Sequence, residues 1–261
     1  MSKRSWYPIL LLGLFGLTAM AIKPRESAKG DEPAKLPGPS STIYKTSEIE
    51  GWTVYVKRDF LKSQPELAER TLTLLRLQLF QIARIVPAAA VKKLRTVRIW
   101  VEENDPSTPC MAYHPGADWL REHNTNPAMA GGVELANARK FLNWTLEQPW
   151  MILHELAHAY HHQFLPGGFE NAELKAAYKN AVKTKIYESV LKIGNSVEKA
   201  YAIQNPQEYF AEATEAFFGT NDFYPFVRSE LRRHDPKGYE LLKKLWGEKA
   251  DRTINERGSG R

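Results

Sequence analysis

The chain has 261 residues, 43% hydrophobic and 25% charged, with a formal net charge of +6 at pH 7. That length and apolar content support a packed core and exclude general disorder. No dense Lys/Arg run interleaved with aromatics appears, so nucleic acid is not an expected partner. The single cysteine, Cys110, excludes an intramolecular disulfide and reads as a small core residue rather than a nucleophile.

The N-terminus has the pattern of a secretory signal. Lys3 and Arg4 precede an apolar run from Ile9 to Ile22, and Ala19-Met20-Ala21 offers a small-x-small cleavage site. The run is short for a membrane span. The expectation is a signal peptide over 1–21 and a secreted or periplasmic protein with no stable membrane span after cleavage. An uncleaved anchor is the alternative. No cysteine directly follows the run, so a lipoprotein anchor is excluded. Residues 22–44, rich in Lys, Pro, Gly and Ser, read as a flexible linker. A catalytic domain is expected over 45–247 and a polar tail over 248–261.

Within the domain, alternation through Trp52, Val54 and Val56 predicts a strand over Gly51–Phe60. Leu67, Leu72, Leu75, Leu79 and Ile82 recur at helical spacing, which predicts an amphipathic helix over Pro65–Ile85 with the proline in its first turn. Leu94–Val101 alternates again and predicts a second strand. The proline-rich stretch Asn104–Met129 reads as loop, with a short helix at Asp118–His123. Val133–Asn137 predicts a third strand. It would be either an edge able to accept an extended peptide by strand addition or an ordinary internal strand.

Pro149 stands at an N1-like position before a helix that ends at Pro166-Gly167-Gly168. Ile152, Leu153, Leu156, Ala159 and Tyr160 share one face of this helix. His154, Glu155, His158 and His162 share the other. Further helices are predicted over Asn171–Ile186, Asn205–Phe218 and, broken near His234-Asp235-Pro236, Val227–Trp246. A hairpin turn is predicted at Ile193-Gly194-Asn195-Ser196.

His154-Glu155-Leu156-Ala157-His158 is an H-E-x-x-H motif. Two imidazoles one turn apart face the same way and can hold one zinc ion. The glutamate between them is then placed to take a proton from a metal-bound water. His161 and His162 read as a partly exposed surface pair, because histidines strung along one helix do not converge on a tetrahedral ion. A metzincin would need a third histidine where Phe164 stands.

A third ligand is expected from the Asn205 helix, which carries Glu208, Glu212 and Glu215 on roughly one face among apolar residues. Burying such carboxylates is costly without a cation. Either Glu208 or Glu212 can serve. Glu208 also sits where it would complete a capping box with Asn205.

The motif followed by Tyr201-Ala-Ile-Gln-Asn-Pro-Gln-Glu208-Tyr-Phe-Ala-Glu212-Ala resembles the gluzincins, and among them the family of anthrax lethal factor and the Pro-Pro endopeptidases. The likeness covers about Trp150 to Phe218. It implies His154, His158 and Glu208 as zinc ligands and Glu155 as general base. It further implies Glu212 as the acid that orients a ligand histidine and Tyr201 as a hydroxyl donor to the reacting carbonyl oxygen. The implied fold is α+β and zincin-like: a small, mostly antiparallel sheet packed on the motif helix, then a helical C-terminal half. The implied function is zinc-dependent hydrolysis of a peptide or protein substrate. A non-peptide zinc hydrolase and an inactive zinc-containing binding protein are the alternatives. Tyr113, His114 and Tyr224 are cleft candidates by residue type alone.

Overall fold

A two-residue turn starts the fold. In the computed structural model, which describes residues 40–247, β1 (Tyr44–Ile49) and β2 (Trp52–Lys57) pair antiparallel around Glu50-Gly51. Both turn residues have positive φ, 51° and 86°, the combination whose twist suits a tight hairpin. Tyr44, the last residue of the expected linker, already belongs to β1. The rest of that linker up to residue 39, the expected signal peptide and the expected tail all lie outside the described residues.

The strand expected over Gly51–Phe60 stops at Lys57, where α1 (Arg58–Ser63) begins and buries Phe60 from a helix. α2 (Pro65–Ile85) follows as its periodicity predicts, with Pro65 at its start and Leu67, Leu75, Leu79 and Ile82 buried. The strand expected over Leu94–Val101 is shorter. Pro87 caps a helix, α3 (Ala88–Leu94), and only Ile99–Val101 forms β3. Three consecutive alanines favour the helix there, and Leu94 is its buried last residue.

β4 (Met111–Tyr113) arises in the stretch expected to be loop. The short helix there is α4 (Ala117–Glu122). β5 (Val133–Leu135) takes a central place, because the sheet order is β1-β2-β3-β5-β4. β5 runs parallel to β3 and antiparallel to β4. This decides for the internal strand of the two alternatives and corrects one expectation, that of a mostly antiparallel sheet. The edge beside the motif helix is β4, so β5 has no free edge for strand addition. The sheet is mixed, not mostly antiparallel, since the outer pairs are antiparallel and the two inner ones parallel. Parallel neighbours need long crossovers; α1–α3 supply the one between β2 and β3.

The fold is α+β. α5 (Ala138–Trp144) leads to α6 (Met151–Phe164), α7 (Ala172–Thr184), α8 (Pro206–Phe218), α9 (Arg228–His234) and α10 (Pro236–Trp246). The predicted hairpin forms as β6 (Val190–Leu191) and β7 (Val197–Glu198). The main core joins Val54, Val56, Ile99, Val101 and Leu135 of the sheet to α2, α6 and α8. Trp100, Leu120 and Met129 form a smaller cluster. Trp246 of α10 stacks on Tyr160 of α6 at 4.1 Å and on Phe210 of α8 at 5.7 Å, so one indole ties three helices together. Buried Asp235 caps α10 by accepting from Gly238 N, and also accepts from the hydroxyl of Tyr209 on α8.

Candidate metal centre

α6 begins at Met151, two residues after Pro149, and Trp150 is its N-cap. Its apolar side is buried as its sequence requires: Ile152, Leu153, Leu156 and Ala159 have no exposed surface. The opposite side brings His154 and His158 toward α8 and Glu155 toward β4. Asn205 Oδ1 accepts from Glu208 N at 2.8 Å, which fixes the first turn of α8. The Glu208 side chain does not fold back to complete a capping box. It reaches across to α6, where Oε2 lies 3.1 Å from His154 Nε2 and 3.4 Å from His158 Nε2. The two imidazole planes stand at 82°, with centroids 4.8 Å apart.

The other nitrogen of His154 meets a different acid. Nδ1 is 2.6 Å from Glu215 Oε1, whereas Glu212 Oε1 is 3.9 Å away. The carboxylate within hydrogen-bonding distance is therefore Glu215, not Glu212. Glu215 lies seven residues past Glu208, two helical turns along the same face. Burial lowers the proton affinity of His154, but the hydrogen bonds and charges of Glu208 and Glu215 outweigh it and hold the imidazole well above its usual range. Burial raises Glu208, yet His158 and His154 hold its carboxylate below the usual carboxylate range. Glu212 and Glu215 are pushed above that range, first by burial; the charge of Asp222 adds to both. Asp222 is itself buried and accepts from Gln148 Nε2 at 3.2 Å.

The donor set fits a tetrahedral cation. Bonds of about 2.0–2.1 Å to an ion at the tetrahedral angle require donors about 3.3 Å apart. The separations of 3.1 and 3.4 Å bracket that spacing. The ligand atoms of His154, His158 and Glu208 all lie within 4.8 Å of one another. A neutral imidazole carries a proton on one nitrogen only. If Nδ1 donates to Glu215, Nε2 faces the Glu208 oxygen lone pair to lone pair, a contact that is favourable only with a cation or a second proton between them.

Glu155 is buried, and its Oε2 accepts from the backbone N–H of Tyr113 on β4 at 2.8 Å. Tyr201 lies in the 3-10 turn Tyr201–Ile203 just before α8, half-buried against the main core. Burial, then the charges of Glu208, Glu155 and Glu212, raise its hydroxyl far above the usual phenol range, so it remains a donor.

His161 and His162 are not a surface pair. His161 is fully buried, in ring contact with Phe169 at 5.0 Å and Phe210 at 5.4 Å. Burial pushes its pKa down to about 3. The cause is the turn Gly168–Glu170, which lays Phe169 over the end of α6. His162 is half-buried, with Nδ1 2.7 Å from the Tyr113 hydroxyl. His114 is buried, with Nε2 2.7 Å from Glu134 Oε2. Tyr224 packs on Phe226 and His234 and, with Glu212 and Asn221, lines a small cavity. Cys110 is buried against Met151, and burial pushes its thiol up to about 12, outside nucleophile chemistry.

Sequence reasoning missed the contact of Glu215 with His154 and that of the Tyr113 amide with Glu155. The i, i+7 spacing from Glu208 flagged Glu215 as a neighbour on the same face. Nothing local marked the second. Among the described residues, no helix is long and apolar enough to cross a membrane.

No family model matches the chain, and no curated protein matches it. The solved structure of the PRO-PRO endopeptidase PPEP-2 from Paenibacillus alvei is similar at a TM-score of 0.41 and 18% identity, over 68% of this chain and 90% of that one. A likeness this slight carries no argument about activity, so the functional reading rests on the site itself.

Proposed function

We propose that the chain is an exported zinc-dependent peptidase of gluzincin type. The observation that carries the reading is the carboxylate of Glu208, set between the two imidazoles of the H-E-x-x-H helix at tetrahedral donor spacing. His154, His158 and Glu208 are the ligands. When bound, zinc supplies a water that ionises near neutral pH and a Lewis acid for a peptide carbonyl. Glu155 takes the proton of the attacking water and returns it to the leaving amine. Its hydrogen bond from Tyr113 N leaves the second carboxylate oxygen for that transfer. Tyr201, kept protonated, donates to the oxygen on which negative charge develops. Glu215 holds the Nδ1–H tautomer of His154 and so directs Nε2 toward the ion. Glu212, with Oε1 3.9 Å from His154 Nδ1, packs beside that contact.

The test is a peptide-library digestion with zinc-loaded protein, wild type beside Glu155→Gln. The expected result is cleavage by the wild type and, for the variant, full zinc occupancy with activity lower by about 10²–10⁴-fold. A zinc-loaded wild type that cleaves no peptide would contradict peptidase activity and leave a non-peptide hydrolase or an inactive zinc protein as the better account.

A further inference from the structure

Tyr113 touches α6 at two points. Its backbone N–H donates to Glu155 Oε2 at 2.8 Å, and its hydroxyl lies 2.7 Å from His162 Nδ1. Glu155 and His162 are seven residues apart, two turns along one face of the helix. The tyrosine therefore lies along the helix and ties β4 to it at both ends. Gln163 Nε2 donates to the same hydroxyl oxygen at 2.9 Å and to Gly131 O at 2.9 Å. With the Gln163 amide donating to that oxygen, the hydroxyl hydrogen is free to go to His162 Nδ1, which is then the bare nitrogen of a neutral ring. Phe169 stacks on that ring at 4.6 Å and 24°.

β4 is three residues long and has a paired neighbour on one side only, β5. On the other side its Tyr113 amide meets Glu155. The pairing with β5 runs on past β4, with His114 N donating to Gly132 O at 3.0 Å and Gly131 N to His114 O at 2.7 Å, so the side of β4 that faces α6 is where the Tyr113 side-chain contacts act. We infer that Tyr113, through His162 and Gln163, is a positioning residue for Glu155: the side-chain contacts hold β4 so that its amide fixes one oxygen of the general base. The catalytic part of this rests on the peptidase reading. The positioning itself does not.

The experiment uses the full zinc-loaded chain and compares wild type, Tyr113→Phe, His162→Leu and His162→Asn. Asparagine keeps an acceptor near the place of Nδ1, and leucine removes it. The first readout is amide hydrogen exchange at residue 113. Tyr113→Phe and His162→Leu should exchange there about tenfold faster or more, while Val133 and Leu135 in β5 keep their rates. His162→Asn should stay close to wild type. The second readout is turnover of a peptide that the wild type cleaves. Tyr113→Phe should lower kcat by about tenfold with KM and zinc content unchanged. Unchanged exchange at residue 113 in both Tyr113→Phe and His162→Leu would overturn the inference, and so would an unchanged kcat in Tyr113→Phe. If the wild type cleaves nothing, the peptidase reading fails, and the exchange rates still decide whether Tyr113 positions Glu155.

Discussion

His154 Nδ1 and Glu215 Oε1 lie 2.6 Å apart, while the carboxylate one turn nearer the start of α8, Glu212, stays 3.9 Å from the same nitrogen. The orienting hydrogen bond therefore belongs to Glu215. Glu215→Gln should weaken zinc binding by about 10–100-fold, the usual cost of losing such a partner. Glu212→Gln should weaken it less, since it removes no contact of hydrogen-bond length to His154. Competition with a chromophoric chelator measures both. A larger loss in Glu212→Gln than in Glu215→Gln would reverse the assignment.

Zinc removal should destabilise the fold. Three nearly buried carboxylates, Glu208, Glu212 and Glu215, sit beside the donors on α8. Their burial is costly without a cation. Binding to the folded state alone adds about 4 kcal/mol at a thousandfold excess over Kd. Thermal unfolding with and without EDTA should give a lower Tm for the stripped protein, and zinc should restore it. Equal Tm values would argue against a resident cation.

His161 gives the fold an acid-sensitive point. Its folded pKa is about 3, against about 6.5 for the unfolded side chain. Between those values the unfolded chain binds the extra proton, so stability falls as pH falls through the window. His161→Phe should keep the aromatic packing against Phe169 and Phe210 and remove this dependence. Urea midpoints at about pH 6 and about pH 4 should fall less in the variant than in wild type. Equal falls would show that His161 takes up its proton without unfolding.

Gly219 shows how tightly the two functional helices meet. It closes α8 by donating to Glu215 O at 2.7 Å. A Cβ there would stand 2.1 Å from the indole of Trp150, the N-cap of α6. Gly219→Ala should cost about 1–3 kcal/mol through overpacking and should lower zinc affinity by shifting α6 against α8. Denaturant titration and the same chelator competition would check both. Wild-type values in each would mean that Trp150 swings away freely.

The helices were legible because each carries a long pattern with end signals: Pro65 and the leucines of α2, the two-faced order of α6, and Asn205-Pro206 before α8 with Gly219 after it. The turn at Gly194-Asn195 was legible for a similar reason. The sheet was less so. The strand β1 is polar along Lys45–Glu48, and β4 has three residues, so neither shows a period. Leu94 alternates like a strand residue, but Pro87 and the alanines after it commit that segment to a helix. At the site, residue types and spacing put His154, Glu155 and His158 together and left the third ligand to Glu208 or Glu212; the family resemblance pointed to Glu208. Whether Glu212 or Glu215 reaches His154 depends on how α8 crosses α6, which no local pattern encodes. The burial of His161 likewise depends on Phe169 and Phe210, which arrive from a later turn and another helix.

If His154, His158 and Glu208 hold one zinc ion together, metal stoichiometry reads it out without any substrate. Wild type and Glu208→Ala would be loaded with zinc, desalted and analysed by elemental mass spectrometry. The expected result is about one zinc per wild-type chain and a large loss in Glu208→Ala, with the fold retained by circular dichroism. A wild type that takes up no zinc, or a Glu208→Ala variant that holds it as tightly, would rule out this three-residue site.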